Sequence, residues 1–232
     1  HEVDRLNALH TEFLAKAGVD LITGWGRFLD PHRIGVARTR EGEIDQVLQA
    51  KRVMIAVGGR PFRPNIPGAE LAWISDDMFL QQRFPDRVVV VGAGFIACEF
   101  AGILRGLGVG VTQLVRGEQL LRGFDSELSG VVQEGMQEKG IDLRFEQGLA
   151  AIEGEPNDLT VVTNSGDRLP CGGVLLATGR QPFLSGLGLE AAGVLVEGRR
   201  IPVDADQATN LAHVFAVGDV TDRICLTPVA VD

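Results

Sequence analysis

The sequence predicts an α/β fold, and three observations support this prediction. The run VVVV at 88–91 is uninterrupted and β-branched, which is typical of a parallel strand covered on both faces. A glycine-rich turn and the mostly apolar, helix-length segment 95–108 follow it directly. Further strand-length apolar segments come later, at 110–115, 141–145, 159–164 and 173–178. This alternation of strand and helix indicates a βαβ-based domain in the middle of the chain.

The chain before this domain is predicted to contain one helix and a small antiparallel β meander. Apolar residues recur at helical spacing from Val3 to Ala17, and Gly18 is placed to end the helix. Three strand-like segments separated by turn residues form the predicted meander and the buried strand to which it returns; they are 20–28, 33–38 and 52–58. The next segment, GGRPFRPNIPG at 58–68, contains three prolines, which predicts a connection between two units.

The later part of the chain contains signals for two further helices. The first is predicted to be capped by Asp125 or Ser126 and to stop at Gly140. Near the end of the chain, an apolar strand at 213–220 closes on Gly-Asp, and Thr227 with the proline after it is typical of a helix start. Because few residues follow this start, we expect the chain to be an internal piece of a longer protein.

Composition and charge narrow the class of protein. The 232 residues are 45% hydrophobic and 23% charged, as in a soluble globular protein. The net charge of −9 argues against a nucleic-acid partner, and no apolar run approaches the roughly 20 residues that cross a bilayer. Cys98, Cys171 and Cys225 form neither a CxxC pair nor a zinc-ligand pattern. We therefore expect an intracellular protein without a metal site, a nucleic-acid partner or a membrane partner.

The strand at 88–91 leads into the spacing Gly92-x-Gly94-x-x-Ala97, which is a dinucleotide-binding fingerprint when a strand precedes it and a helix follows. Gly92 permits the tight turn, Gly94 lets a pyrophosphate approach the backbone, and the small Ala97 lets the helix pack on the strand. The pyrophosphate is expected at the helix N-terminus, where free N–H groups and the helix dipole favour an anion. The alternative is a glycine turn in a packed sheet without a ligand.

Two arginines follow the next strand, in the stretch LVRGEQLLRGFD at 114–125. In NAD-binding folds an acid at this strand end accepts hydrogen bonds from the ribose hydroxyls. Arg116 stands at that position, and Arg122 follows six residues later. Two guanidinium groups can hold a 2′-phosphate by bidentate, charge-assisted hydrogen bonds, so the sequence favours NADP over NAD. The alternative is two solvated arginines on a surface turn.

Several longer stretches resemble one known family, the FAD-dependent pyridine nucleotide–disulfide oxidoreductases. The similarity covers nearly the whole chain and is carried by AVGGRPFRPNIPGAE (56–70), VVGAGFIACEFAGIL (90–104), VRGEQLLRGFD (115–125), LLATGRQP (175–182) and FAVGDVTDRICLTPVA (215–230). Within the family the chain is most similar to the glutathione reductases, in the versions found in cyanobacteria and plastids. NAD-using lipoamide dehydrogenases carry an acid in place of Arg116, so the resemblance also implies NADP.

The resemblance implies a Rossmann-like NADP-binding domain flanked by partial FAD-binding segments. It places the NADP-binding domain at 61–182. The partial FAD-binding segments are then 1–60 and 183–232, and the second of these also belongs to the family's central domain.

Individual positions match cofactor contacts of the family. Phe95 matches an aromatic residue that covers the flavin, and Glu99 matches a glutamate that touches the nicotinamide carboxamide; the alternative for Glu99 is an exposed helical carboxylate. Gly179 and Arg180 match a turn beside the NADP, and Asp219 matches the aspartate that hydrogen-bonds the flavin ribityl chain. The resemblance makes Phe95 and Glu99 catalytic. The full set of implied cofactor-binding positions is Gly26, Gly58, Gly92, Ala93, Gly94, Phe95, Ile96, Ala97, Glu99, Arg116, Arg122, Gly179, Arg180, Asp219 and Thr227.

The implied activity is NADPH-dependent reduction of glutathione disulfide through FAD. The family's first FAD fingerprint, its CxxxxC redox disulfide and its C-terminal dimer domain have no counterpart in the sequence, so we expect the isolated chain to be inactive and the homodimer to belong to the full-length protein. Two alternatives stay open: a free-standing NADP-binding module, and another disulfide reductase of the family. His10 stands where the family often has a tyrosine near the disulfide substrate, and we interpret it as a solvated histidine. The expected compartment is the cytoplasm or a plastid stroma.

Overall fold

The structure is a computed structural model that describes residues 2–223 and 225–231. The chain divides into two compact units: unit 1 is His1–Gly58 with Pro182–Asp232, and unit 2 is Gly59–Gln181. Unit 2 is therefore continuous in sequence, whereas unit 1 is formed from two separate segments. Within the described residues, no helix is both long enough and apolar enough to cross a bilayer.

The described residues form α-helices and short strands. The α-helices are α1 (Glu2–Lys16), α2 (Ser75–Met78), α3 (Phe95–Gly106), α4 (Ser126–Glu138), α5 (Leu189–Ala192) and α6 (Thr227–Val231). The strands are β1 (Trp25–Asp30), β2 (Arg33–Ala37), β3 (Ile44–Gln49), β4 (Val53–Ile55), β5 (Gly59–Pro61), β6 (Arg87–Val91), β7 (Gly110–Leu114), β8 (Asp142–Arg144), β9 (Leu149–Glu155), β10 (Asp158–Thr163), β11 (Arg168–Cys171), β12 (Gly173–Leu176), β13 (Arg180–Pro182) and β14 (Val214–Ala216). Short 3₁₀ helices are present at Ala69–Leu71 and Gly218–Thr221.

A parallel sheet in the order β12-β6-β7-β8 forms the centre of unit 2. Successive residues of β6 point to opposite faces of this sheet. Val88 and Val90 belong to a core cluster with residues of α3 and α4. Val89 and Val91 belong to a second cluster on the other face. None of the four is more than 7% exposed, which confirms the prediction of a strand covered on both faces.

The two long helices of unit 2 pack on one face of the sheet. Ala97 and Ala101 of α3 have no exposed surface, because their small side chains let the helix approach β6 closely. α4 begins after Asp125, whose carboxylate accepts two backbone N–H bonds from the first turn. Asp125 is therefore the cap, and Ser126 is the first helical residue. Gly140, with φ +80°, follows the last turn as predicted.

The other face of the parallel sheet is covered by an antiparallel sheet in the order β11-β10-β9. Ile152, Leu159 and Val161 from this second sheet pack in one cluster with Val89 and Val91. The segment 159–164 was predicted as a strand, but β9 and β11 were not. Both missed strands mix apolar residues with glycine, proline or charged residues, a composition that also suits turns.

Unit 1 contains the predicted antiparallel meander, in which β1 pairs with β2 and β2 pairs with β3. The same unit holds a parallel pair, β4 with β14. Its core is formed by Phe28, Ile55, Leu187, Leu189, Ala192, Val194, Ile201, Val214, Ala216 and Val220. The predicted start of the strand at 20–28 is wrong. β1 begins only at Trp25, because β2 ends at Ala37, the partner of Trp25, and leaves residues 20–24 without a ladder.

Two other segments differ from expectation. β4 is not a fully buried strand: Met54 is 64% exposed, because its side chain points to a face of the β4–β14 pair that the described residues leave open, whereas Ile55 on the opposite face is 4% exposed. The connection 58–68 contains the short strand β5, which pairs with β13. The Phe62 N–H donates to the Gly179 carbonyl at 2.8 Å and extends this pairing by one further contact.

The opening helix is confirmed by α1, but none of its described residues is buried. Gly18, with φ +73°, ends it, and the Val19 N–H donates to the Leu14 carbonyl at 2.9 Å. Phe13 is 54% exposed. The apolar spacing therefore predicted the helix correctly, although the described part of the chain does not cover its apolar side.

Candidate dinucleotide-binding site

The turn between β6 and α3 requires glycine at its first position. Gly92 has φ +142°, a backbone conformation that side chains rarely allow. A Cβ atom there would overlap the carbonyl oxygen of Ala177, which follows β12. The Gly92 N–H donates to the Leu114 carbonyl at 3.0 Å. The turn is therefore held between the two strands that flank β6, as a dinucleotide fingerprint needs.

The second glycine of the fingerprint leaves open space in front of α3. Gly94 is the N-cap residue, and a Cβ atom added there would have no heavy atom within 4 Å. Within the described residues no side chain caps this helix, and its first turn contains no acid. The first turn of an α-helix has N–H groups without intrahelical partners, and these favour an anion. The open space at Gly94 and the N–H donors of the first turn fit the pyrophosphate of a dinucleotide.

The loop that carries both arginines is tied to this turn. Leu120 is fully buried in the core of unit 2, and Leu121, with φ +51°, donates its N–H to the Ala93 carbonyl at 2.7 Å. Arg116 and Arg122, on either side of this anchor, are exposed, and neither forms an ion pair with a described residue. The structure thus brings the loop to the fingerprint turn and leaves two positive charges available on it.

Phe95 and Glu99 lie on one side of α3, four residues apart. Phe95 is 47% exposed, and Glu99 is also exposed. Both side chains are therefore accessible at the N-terminal part of the helix, next to the open space at Gly94. Ile96 is half-buried, and Ala97 is the small residue that packs on the sheet. The roles implied for Phe95 and Glu99 stay a prediction.

The Gly179–Arg180 turn follows the strand next to β6. The Ala177 N–H donates to the Val91 carbonyl at 2.9 Å, so this turn leaves the sheet beside Gly92. Gly179 has φ +126° and open space at the position of a Cβ atom. The Arg180 guanidinium donates to the Gly59 carbonyl at 2.7 Å. The Gly179–Arg180 turn and the fingerprint turn therefore both follow the carboxyl ends of neighbouring parallel strands in unit 2.

Four of the positions predicted to contact FAD lie in unit 1, namely Gly26, Gly58, Asp219 and Thr227. Gly58 and Gly218 follow β4 and β14, which are parallel neighbours, so both lie at the carboxyl ends of paired strands. Asp219, half-buried, comes next in the chain. A Cβ atom at Gly218 would lie 3.3 Å from the Cβ atom of Ala230, which places α6 beside this turn.

The two remaining FAD positions lie elsewhere in the same unit. Thr227 is the first residue of α6, as predicted. Gly26 is in β1 instead, next to Trp25, whose ring packs edge-on against Phe183 at 6.3 Å. The Phe183 N–H donates to the Gly58 carbonyl at 3.0 Å, so Gly26 is linked to this region through intervening residues.

One side chain that supports the turn was missed. Gln113 in β7 is fully buried, and its Nε2 donates to the Gly92 carbonyl at 2.9 Å. The available signal was a polar residue inside the apolar run GVTQLV. His10, by contrast, is exposed on α1, in agreement with its interpretation as a solvated residue.

The thiols of unit 2 are poor nucleophiles for a physical reason. Burial raises the pKa of the Cys98 thiol; the Gln113 amide opposes this shift and the Glu99 carboxylate adds to it. Burial also raises the pKa of the Cys171 thiol. Since the thiolate is the reactive form, both raised pKa values lower reactivity near neutral pH.

We expect Cys98 and Cys171 to react with iodoacetamide more slowly than the exposed Cys225. Their reaction rates should keep rising with pH beyond the ordinary thiol pKa of about 8.5, because the thiolate forms later. Peptide mapping by mass spectrometry between about pH 7 and pH 10 measures this, with the urea-unfolded chain as control. Alkylation of Cys98 as fast as that of Cys225 in the folded chain contradicts the prediction.

Comparison with known proteins places the chain in a family. Residues 1–232 match the family described as pyridine nucleotide-disulphide oxidoreductase. A glutathione reductase from Nostoc sp. is 41% identical to the chain over 243 residues. This match covers 99% of this chain and 51% of the relative. It is 39% identical to glutathione reductases from Burkholderia cepacia and, in a chloroplastic/mitochondrial form, from Pisum sativum, with 50% and 41% of those proteins covered. The chain therefore spans about half the length of these relatives.

Solved structures show the same fold. The HOCl-induced flavoprotein disulfide reductase RclA from Escherichia coli superposes with a TM-score of 0.91 at 25% identity, covering 99% of this chain and 52% of that one. Its Cu(II) complex superposes with a TM-score of 0.84 at 24% identity, covering 92% of this chain and 48% of that one, which supports the fold alone. The α/β prediction is confirmed, and the chain belongs to the pyridine nucleotide–disulphide oxidoreductase family.

Proposed function

We propose that this chain is the NADPH-receiving part of a FAD-dependent enzyme that reduces glutathione disulfide. The observation that carries the NADPH assignment is the exposed pair Arg116 and Arg122 on a loop bonded to the fingerprint turn. The glutathione reductases at 39–41% identity support the substrate class. Two guanidinium groups at this point match the charge and the planar geometry of a phosphate.

In this proposal, each part of the site in unit 2 has one task. The backbone at Gly92 and Gly94 receives the pyrophosphate on the α3 N-terminus, and the two arginines hold the 2′-phosphate. Phe95 would cover the flavin, and Glu99 would accept a hydrogen bond from the nicotinamide carboxamide. When bound, the cofactors supply hydride transfer from NADPH to FAD. The residues of the chain bind, orient and shield them.

The proposal also assigns the domains. Residues 61–182 bind NADP, and residues 1–60 and 183–232 contribute to FAD binding through Gly26, Gly58, Asp219 and Thr227. The full-length protein then acts as a homodimer in the cytoplasm or a plastid stroma.

The isolated chain should bind NADPH and yet fail to reduce glutathione disulfide. Cys98 and Cys171 lie in unit 2 and Cys225 lies in unit 1, and no two of them are spaced as a redox pair. These three cysteines therefore do not provide a dithiol pair that could accept electrons from the flavin. Titration should give an NADPH Kd at least about tenfold below that of NADH, while NADPH absorbance stays constant with glutathione disulfide. A complete glutathione reductase under the same conditions is the positive control. Steady turnover by this polypeptide alone contradicts the proposal.

The second candidate is a free-standing NADP-binding module, which the continuous chain and separate core of unit 2 favour. A visible spectrum of the purified chain separates the two. A flavin band near 450 nm, an approximate property of flavins in general, supports the enzyme part with its FAD contacts. NADPH binding without any flavin, even after FAD is added, supports the module.

A further inference from the structure

A buried amide interrupts the apolar core of unit 2 directly behind the fingerprint turn. Gln113 has no exposed surface and stands in β7, an interior strand of the parallel sheet. Val111 and Val115, two residues away on either side, belong to the cluster that packs against α3. Side chains two apart in a strand share one face, so Gln113 also faces α3. The site tasks assigned above do not use this residue.

The amide of Gln113 makes specific contacts at one end only. Its Nε2 donates to the Gly92 carbonyl at 2.9 Å and lies 3.9 Å from the Cys98 sulfur. Its Oε1 is buried without a hydrogen-bond partner among the described residues. A buried acceptor without a partner lowers stability, so a leucine of similar size would suit this core better. A glutamine at position 113 therefore packs less favourably than an apolar residue would, but its amide can fix the orientation of the Gly92 carbonyl.

The bond to Gly92 sets the orientation of the next peptide group. The Gly92 carbonyl and the Ala93 N–H belong to one planar trans peptide, so they point in opposite directions. With the carbonyl turned toward Gln113, the Ala93 N–H points away from β7. No described group accepts a hydrogen bond from this N–H, whereas the Ala93 carbonyl accepts one from Leu121. Gly92 has no Cβ atom and is therefore unrestricted at ψ as well as at φ, so the bond from Gln113 restricts a peptide that would otherwise rotate.

We propose that Gln113 is a positioning residue that fixes the Gly92–Ala93 peptide for the pyrophosphate of the dinucleotide. This inference rests on the proposed function, because it concerns the same turn. It makes a distinct claim about specificity. The pyrophosphate is common to NADP(H) and NAD(H), so Gln113 acts equally on both nucleotides, whereas the arginines act only on the 2′-phosphate.

The test is nucleotide titration of Gln113→Leu and Gln113→Asn, with chemical unfolding measured in parallel. Leucine removes the donor, and asparagine keeps the amide but withdraws it by one methylene. Both variants should raise the Kd of NADPH and of NADH by roughly three- to tenfold each, with their ratio unchanged. Gln113→Leu should stay close to the wild-type stability, because the loss of the unpartnered Oε1 offsets the loss of the hydrogen bond to the Gly92 carbonyl.

Ser129→Ala is the matched control. Ser129 is 3% exposed, its Oγ also lacks a partner among the described residues, and it belongs to α4, outside the fingerprint turn. Its loss should leave both Kd values unchanged. Unchanged Kd values in Gln113→Leu and Gln113→Asn, or a shifted NADPH/NADH ratio, overturn the positioning role.

A further measurement separates this inference from the proposed function. If the wild-type chain binds neither nucleotide, the proposed function fails, but the orientation of the peptide is still measurable by NMR without ligand. Gln113→Leu must then shift the Ala93 amide resonance, and Ser129→Ala must leave it in place. An unshifted Ala93 resonance in Gln113→Leu overturns the inference in that case too.

Discussion

Arg116→Glu should abolish the preference of this chain for NADPH over NADH. The substitution removes charge-assisted hydrogen bonds to the 2′-phosphate and places a carboxylate where that phosphate binds. We expect NADPH affinity to fall by about 2–4 kcal/mol, roughly 30- to 1000-fold in Kd. NADH affinity should stay level or rise, because the new acid can accept from the ribose hydroxyls. Fluorescence titration with both nucleotides measures the ratio.

Arg122→Ala should have the same direction and a smaller effect, since it removes one donor without adding repulsion. The effects of the two substitutions should not add, because both guanidinium groups hold one phosphate. Arg83→Glu makes the same change of charge at another exposed position of unit 2 and serves as the control. If Arg116→Glu and Arg83→Glu leave the same NADPH/NADH ratio, the phosphate clamp is wrong.

Gly94→Val should weaken both nucleotides by about 100-fold or more while the fold persists. A side chain at Gly94 has no neighbour within 4 Å, so it occupies the space that the pyrophosphate needs. The backbone there is extended, with φ −80° and ψ 174°, which a β-branched residue accepts readily. The free energy of unfolding should therefore change by less than about 1 kcal/mol. Titration and urea unfolding of the same preparation give both values.

Two other glycines make this prediction specific. Gly102, inside α3, also has no neighbour within 4 Å, so Gly102→Ala should leave binding unchanged and add about 0.5–1 kcal/mol of stability. Gly92→Ala should instead destabilise the fold, because its Cβ meets the Ala177 carbonyl at a positive φ. Wild-type nucleotide affinity in Gly94→Val contradicts the site.

Local patterns were enough to predict the βαβ unit. Four β-branched residues in a row, a glycine turn and an apolar helix are features of neighbouring residues, and β6 and α3 follow them closely. The Asp125 cap was predictable for the same reason, since its partners lie within three residues. The resemblance to a family added the proposed function, which the local pattern could not supply.

Features that depend on distant partners were not predictable in this way. β1 begins at Trp25 because β2 ends at Ala37, and the pattern of residues 20–28 does not show where its partner stops. The support that Gln113 gives to Gly92 joins residues 21 positions apart. Single-sequence periodicity reports which face of an element is apolar, but it does not report what packs on that face.

The split of unit 1 into two chain segments has a consequence for how the protein folds. Val53 and Val214 pair in β4 and β14, yet the whole of unit 2 lies between them in sequence. Closing so long a loop costs conformational entropy and slows folding, whereas unit 2 assembles from one continuous segment. Pairing of β5 with β13 holds the two ends of that segment side by side and shortens the effective loop. The connectivity therefore favours an order in which unit 2 folds early and unit 1 closes afterwards.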